Sequence, residues 1–296
     1  MGLDINAVQF LIAAHQNGAR FGETLMIGRQ GLNVYPAKVV KVLERAGLHA
    51  EIFRKAGKET EYAEPLFHAL GAARVHSLDV SDFEGAEFLH DLNKPIPVEW
   101  RERFDAVYDG GTLEHVFNFP CALQNCMEMV KPGGSLFIHT VANNWCGHGF
   151  YQFSPELFYR ALSPENGFEV ARMIVHAVGP YGRWFEVADP NALRSRVECL
   201  TFYPLHLLLQ AKRTRAMPIF STPPQQSDYT PRWEDPTLVT GTAEKPAAFP
   251  PPARPWLSRF LPGISRLFHV AKMGFDLYRR ESIFWNRKSF RPVKKP

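Results

Sequence analysis

The sequence predicts an α/β fold: a mostly parallel sheet with helices on both faces, followed by a C-terminal extension. Strand-length apolar runs recur over the first two thirds of the chain, with helix-spaced segments between them. The clearest block is Phe104-Asp-Ala-Val-Tyr108. It leads through a polar loop and an amphipathic segment to Lys131-Pro-Gly-Gly134 and a second apolar run, Ser135 to Val141. Alternation of this kind favours parallel pairing, because each crossover helix carries the chain back to start the next strand in the same direction.

Taken in order, Val8, Leu11, Ile12 and His15 share a helical face and open the chain, and Thr24 to Gly28 is the first buried strand. Tyr35 to Ala46 has helical spacing through Val39, Val40, Val42 and Leu43, with Gly47 as its stop. Residues 48–73 read as a polar, partly helical insertion. Arg74 to Val80, Ala86 to His90, Phe104 to Tyr108 and Ser135 to Val141 supply four more strands. Helices fall near Pro120 to Val130 and Pro155 to Leu162, the latter capped by Ser154. Phe168 to Val178 and Glu198 to Lys212 complete the sheet without a long helix between them. From Met217 the chain turns rich in Pro, Ser and Thr. The expected division is a domain over 1–216, a Pro-rich linker over 217–256 and a basic amphipathic tail over 257–296.

Charge is uneven along the 296 residues: the net +4 divides into +9 for residues 254–296 and −5 for the rest. An acidic body argues against broad contact with nucleic acid. In the tail, Leu267, Phe268, Ala271, Phe275, Tyr278 and Phe284 fall mostly on one helical face, with Arg266, Lys272, Arg279, Arg280, Arg287 and Lys288 around it. Such a segment suits a membrane surface or an acidic partner, or it folds back on the domain or self-associates. Cys121, Cys126, Cys146 and Cys199 form no C-x-x-C pair and no zinc-ligand spacing, so free thiols and no metal are expected. Residues 1–23 show no secretory pattern and no apolar run reaches membrane-spanning length. The expected location is cytoplasmic, with peripheral contact at the inner membrane surface as an option for the tail.

The succession F-D-x-V, L-E-H-V (Leu113 to Val116) and K-P-G-G resembles the late motifs of class I S-adenosylmethionine-dependent methyltransferases, type 11/12-like, with a degenerate first glycine motif. The resemblance extends more loosely over residues 20–212. It implies a Rossmann-like methyltransferase fold with seven strands ending in a strand pair, S-adenosyl-L-methionine as cofactor, and a site over the carboxyl ends of the strands. The first turn, Gly28-Arg29-Gln30-Gly31, would carry the cofactor. Arg29 either adds an unhelpful positive charge there or pairs with the cofactor's carboxylate, and an ordinary tight turn explains the two glycines equally well. Asp79 with Val80 ends the second strand where a carboxylate can accept both ribose hydroxyls, although Asp82 and Glu84 also suggest a solvated acidic loop. Asp91 and Leu92 occupy the adenine end, or Asp91 caps a turn. Asp109, Gly110 and Gly111 would admit the methionine portion, with His115 close to the cofactor.

The loop Asn143 to Pro155 is dense in polar and aromatic residues. Methyl transfer needs an oriented acceptor and, for a hydroxyl, a base. His148 is the candidate base, and Tyr151 or Gln152 would hold the acceptor, so that His148 and Tyr151 are the candidate catalytic pair; a hydrogen-bonded loop histidine is the plainer alternative for His148. Arg183, Trp184, Asp189, Arg194 and Arg196 would cover the site. The leading function is methyl transfer to a small-molecule or carbohydrate-like acceptor. A cofactor-free methyltransferase-like scaffold or partner-binding protein is the alternative, and a nicotinamide oxidoreductase is disfavoured by the missing three-glycine fingerprint.

Overall fold

The computed structural model describes residues 2–56, 61–178, 182–229 and 262–296. Among these residues nine strands form one sheet in the order β3-β2-β1-β4-β5-β8-β6-β7-β9. The five from β3 to β5 are parallel: β1 (Glu23–Ile27), β2 (Arg74–Asp79), β3 (Phe88–Leu89), β4 (Phe104–Asp109) and β5 (Val130–Asn143). Beyond β5 every pairing is antiparallel, through β6 (Phe168–Ala177), β7 (Trp184–Val187), β8 (Leu205–Arg213) and β9 (Phe290–Val293). Two of these strands, β7 and β9, exceed the expected seven, and β8 starts seven residues later than Glu198. Glu198 to Pro204 is used instead as irregular chain across the top of the sheet.

Side-chain alternation sends each strand to two cores. On one face Leu25, Ile27, Leu136 and Ile138 meet α5 (Phe119–Met129) and α6 (Pro155–Ala161). On the other, Met26 and Phe137 meet α1 (Ile5–Gln16), α2 (Pro36–Arg45), α3 (Glu51–Ala56) and α4 (Glu64–Ala69). The expected polar insertion over 48–73 is corrected here: Phe53, Ala63, Leu66, Phe67 and Leu70 are all buried in that second core. Ser154 does cap α6, accepting from the Leu157 amide at 3.4 Å.

The most legible motif proves to be a strand staple. Asp105 of F-D-x-V accepts from Lys131 Nζ of K-P-G-G at 3.2 Å and from the Glu23 amide at 2.9 Å, tying β4 to β5 and β1. Lys131 to Gly134 bulge out between the pairs Phe104–Val130 and Ala106–Ser135. Gly134 is required there, because a Cβ would lie 2.7 Å from the Asp105 carbonyl oxygen.

After a short α7 (Pro190–Leu193), the chain up to residue 229 packs on the domain where a linker was expected. Ile219 is buried, and Asp228 pairs with Arg196 at 2.7 Å. Residues 230–261, which hold the rest of the expected linker, lie outside the described residues. The last helix, α8 (Pro262–Glu281), leads to Ile283 and Phe290, both fully buried, and to β9 on the sheet edge. The tail therefore folds back, which was one of its expected alternatives. Among the described residues, no helix is long and apolar enough to cross a membrane.

Candidate active site

The strand order reverses at β1, whose neighbours are β2 on one side and β4 on the other. The loops that leave these three strands diverge there and open a crevice at the carboxyl ends. Gly28 sits at φ +70°; a Cβ on it would lie 2.9 Å from Thr112 Oγ1 and 3.8 Å from Asp79 Oδ2. Those three loops therefore meet at one place. Thr112 Oγ1 donates to the Ile27 carbonyl at 2.8 Å, fixing the β4 loop over β1.

Within the first turn the outcome is mixed. Gln30 is buried; its Nε2 donates to the Ile27 carbonyl, and a Cβ on Gly110 would overlap its Oε1. Its carboxamide thus fills the gap between the β1 and β4 loops. Arg29 is committed elsewhere, to Glu64 at 2.7 Å, to the Glu84 carbonyl at 2.9 Å and over the Tyr62 ring at 4.0 Å. Its expected pairing with a cofactor carboxylate is not prepared. Gly31 is held on both sides, its carbonyl accepting from the Leu3 amide at 2.8 Å and its backbone bridging to Tyr62.

Along β2 and β3, Asp79 Oδ1 accepts from the Val80 amide at 2.6 Å, while the Val80 side chain is exposed. Asp91 Oδ1 accepts from the Asn93 side chain at 2.7 Å and its amide at 3.0 Å, and these bonds lower the carboxyl's pKa. That is the turn cap. Leu92 is buried in the core with Leu25 and Ile27, which corrects its expected place against a ligand.

On the β4 side, Asp109 is fully buried. Its Oδ1 accepts from the amides of Thr112 at 2.9 Å and Leu113 at 3.3 Å, and its Oδ2 has no partner among the described residues. Burial, then the nearby Glu114 carboxylate, pushes its pKa up to about 8. Gly111 at φ +101° turns the loop. Glu114 is also fully buried: Oε2 accepts from Thr140 Oγ1 at 2.9 Å, and Oε1 lies 3.7 Å from His148 Nε2. His115 is exposed, with its ring 5.1 Å from that of His148. Burial lowers the His115 pKa.

His148 thus has a carboxylate behind it, whereas Tyr151 is corrected as a catalytic group. Its hydroxyl donates to the Phe117 carbonyl at 2.7 Å, and its ring packs against Phe119 and Phe153. Gln152 Oε1 accepts from the Trp145 amide at 2.6 Å. The expected cover is also otherwise engaged. Trp184 is buried in β7, Asp189 pairs with Arg160 at 2.6 Å, and Arg196 pairs with Asp228. By sequence Glu114 reads as a helix-start or loop residue, and the structure places it in a short 3-10 turn with its carboxylate buried. Its signal was an acid inside an otherwise apolar segment, which only burial turns into chemistry.

No family profile matches this chain. The chain is 27% identical over 188 residues to the human mitochondrial ubiquinone biosynthesis O-methyltransferase, covering 54% of this chain and 51% of that protein. To the ubiquinone biosynthesis O-methyltransferase of Rhodopseudomonas palustris strain BisB18 it is 30% identical over 102 residues, 34% of this chain and 38% of that one. The chain therefore spans about half the length of the human relative and less of the bacterial one. A solved S-adenosylmethionine-dependent methyltransferase from Mesorhizobium loti is similar over 68% of this chain and 95% of its own, with 15% identity and a TM-score of 0.36. The curated relatives it resembles are methyltransferases, and its motif order and parallel half-sheet, with loops gathered at the switch point, are similar to those of the class I S-adenosylmethionine-dependent methyltransferases.

Proposed function

We propose that the chain transfers a methyl group from S-adenosylmethionine to a hydroxyl of a small-molecule or saccharide acceptor. The observation that supports this most is the convergence of Gly28, Asp79 and Thr112 at the switch point. The cofactor, when bound, supplies an electrophilic methyl on a sulfonium. Asp79 would accept from the ribose through Oδ2, and the backbone at Gly28, Gly110 and Gly111 would line the methionine portion. The unpartnered Asp109 Oδ2 suits a ligand donor. Gln30 has to swing out of the gap for this to occur.

His148 is the group that takes the acceptor proton. With Nε2 turned toward Glu114, Nδ1 is left to accept it, and the buried carboxylate stabilises the imidazolium that forms. The names of the relatives favour oxygen as the acceptor atom.

The filled gap at Gln30 and the engaged Arg29 favour a second reading, a cofactor-free scaffold. Calorimetry with S-adenosylmethionine, S-adenosylhomocysteine and NAD separates the two, paired with labelled-methyl incorporation into a small-molecule extract. Binding of both adenosyl ligands and not NAD is expected. Asp79→Ala should weaken S-adenosylhomocysteine binding at least ~10-fold, since it removes charge-assisted hydrogen bonds of roughly 1.5–3 kcal/mol each. His148→Ala should lower transfer by about 10²-fold and leave that binding unchanged. No binding of either adenosyl ligand would sink the proposal and leave the scaffold.

Peripheral membrane contact through α8 is also proposed. It is supported by exposed Val270, Phe275 and Leu277 beside Lys272, Arg279 and Arg280.

A further inference from the structure

Three neighbouring strands of the antiparallel half-sheet each carry one histidine near the same edge. His139 lies on β5 opposite Leu208, while His206 on β8 stands opposite both Val141 and His176 of β6. Phe137, Leu208 and Ile174, each two residues away on the same strands, belong to the core under α1. Alternation therefore points all three imidazoles to that face. There they meet Asp4, which caps α1.

His139 and His176 are 1% exposed and His206 is 8% exposed. One hydrogen bond joins the rings, His139 Nε2 to His206 Nδ1 at 3.0 Å. The remaining four ring nitrogens have no hydrogen-bond partner among the described residues. Leaving that many polar atoms unmatched inside an apolar core is costly, so the arrangement calls for a ligand. One candidate ligand atom from each of the four residues lies within 4.8 Å of the other three.

We propose that Asp4, His139, His176 and His206 bind one divalent transition-metal ion, zinc in the first instance. Three imidazole nitrogens and one carboxylate oxygen form a four-ligand set that suits tetrahedral Zn²⁺, whose bonds of ~2.0–2.2 Å place ligand atoms roughly 3.3 Å apart. One ligand atom from each residue lies within 4.8 Å of the others, so the four have to draw in around the ion.

An outer shell stands behind Asp4. Its Oδ2 accepts from Asn6 Nδ2 at 2.8 Å, and Asn6 Oδ1 accepts from Trp184 Nε1 at 3.0 Å and Lys295 Nζ at 2.6 Å. Just ahead of Asp4, the Gly2 amide donates to the Gly110 carbonyl at 3.1 Å and the Leu3 amide to Gly31. The ion would therefore pin the N-terminal segment beside the β1 and β4 loops. A second cluster, Glu114, His115 and His148, offers three groups, but His115 is exposed and Glu114 is already held by Thr140. The four-residue site is favoured.

The untagged full chain, stripped with chelator and reloaded with Zn²⁺, is desalted and its metal measured. One zinc per chain is expected, with X-ray absorption showing about three imidazoles and one oxygen donor at ~2.0–2.1 Å. His176→Ala and Asp4→Asn should lose stoichiometric zinc, and Asn6→Ala should weaken it by about 10- to 100-fold. His148→Ala should keep it. Substoichiometric zinc in the native chain, loss only in His148→Ala, or an oxygen-dominated shell would overturn the proposal. The absorption measurement decides even if the ligand variants fail to fold.

Discussion

Asp109 shows how one residue can carry both architecture and titration. Two amides fix its Oδ1, while Oδ2 is buried without a partner among the described residues and faces the charge of Glu114. The folded pKa of about 8 stands above the ordinary value of about 3.9. Between those values the unfolded chain has lost the proton and the folded chain keeps it. The carboxyl's contribution is therefore fully present below pH ~4 and is lost as pH rises toward 8. Asp109→Asn keeps the acceptor and places an uncharged amide where Oδ2 stood. Its thermal midpoint should gain on the native chain by roughly 10 °C as pH rises from 5 to 8.5, at about 1.4 kcal/mol per pH unit up to the folded pKa and about 2–4 °C per kcal/mol. A difference flat with pH in scanning fluorimetry would refute the shift. Asp109 and Glu114 were readable as acids beside a strand end. Their burial was not, because it depends on β5 and the loop around His148 closing over them.

For the elements, the C-terminal segment is the instructive case. Composition marked it as a basic amphipathic tail, yet β9 pairs with β7 and Phe290 is fully buried. Phe290→Ala should cost about 3–5 kcal/mol in urea denaturation, as for a core aromatic. Arg291→Ala, which removes an exposed pair with Glu186, should cost less than ~1 kcal/mol. Equal and small effects would mean that the segment is not part of the core. The parallel strands were legible because burial on both faces makes them near-continuous apolar runs. β7 was missed because Trp184 to Val187 is only four residues long, and a short edge strand is defined by its partner. Gln30 and Tyr151 were misplaced for a related reason: their polar ends are satisfied by Ile27 and Phe117 backbone that local pattern does not locate.

Considered as a whole molecule, an acidic body with net −5 carries a C-terminal segment of +9. If α8 meets membranes, the full chain should float with vesicles containing phosphatidylserine and stay behind with phosphatidylcholine alone. Phe275→Asp should abolish flotation without the loss of β9 that a tail deletion would bring. Flotation indifferent to lipid charge would remove the proposal.

The sequence by itself determined the alternation of strands and helices, the Asp105–Lys131 motif pair and the glycine at the first turn. Each follows from side-chain periodicity or a local backbone requirement. Tertiary structure decided that Gln30 fills the loop gap, that Leu92 joins the core, that β9 completes the sheet and that three solitary histidines face Asp4. These depend on contacts between residues tens to hundreds of positions apart. Such contacts form only when the register of one strand is set against another, and no local pattern encodes that register.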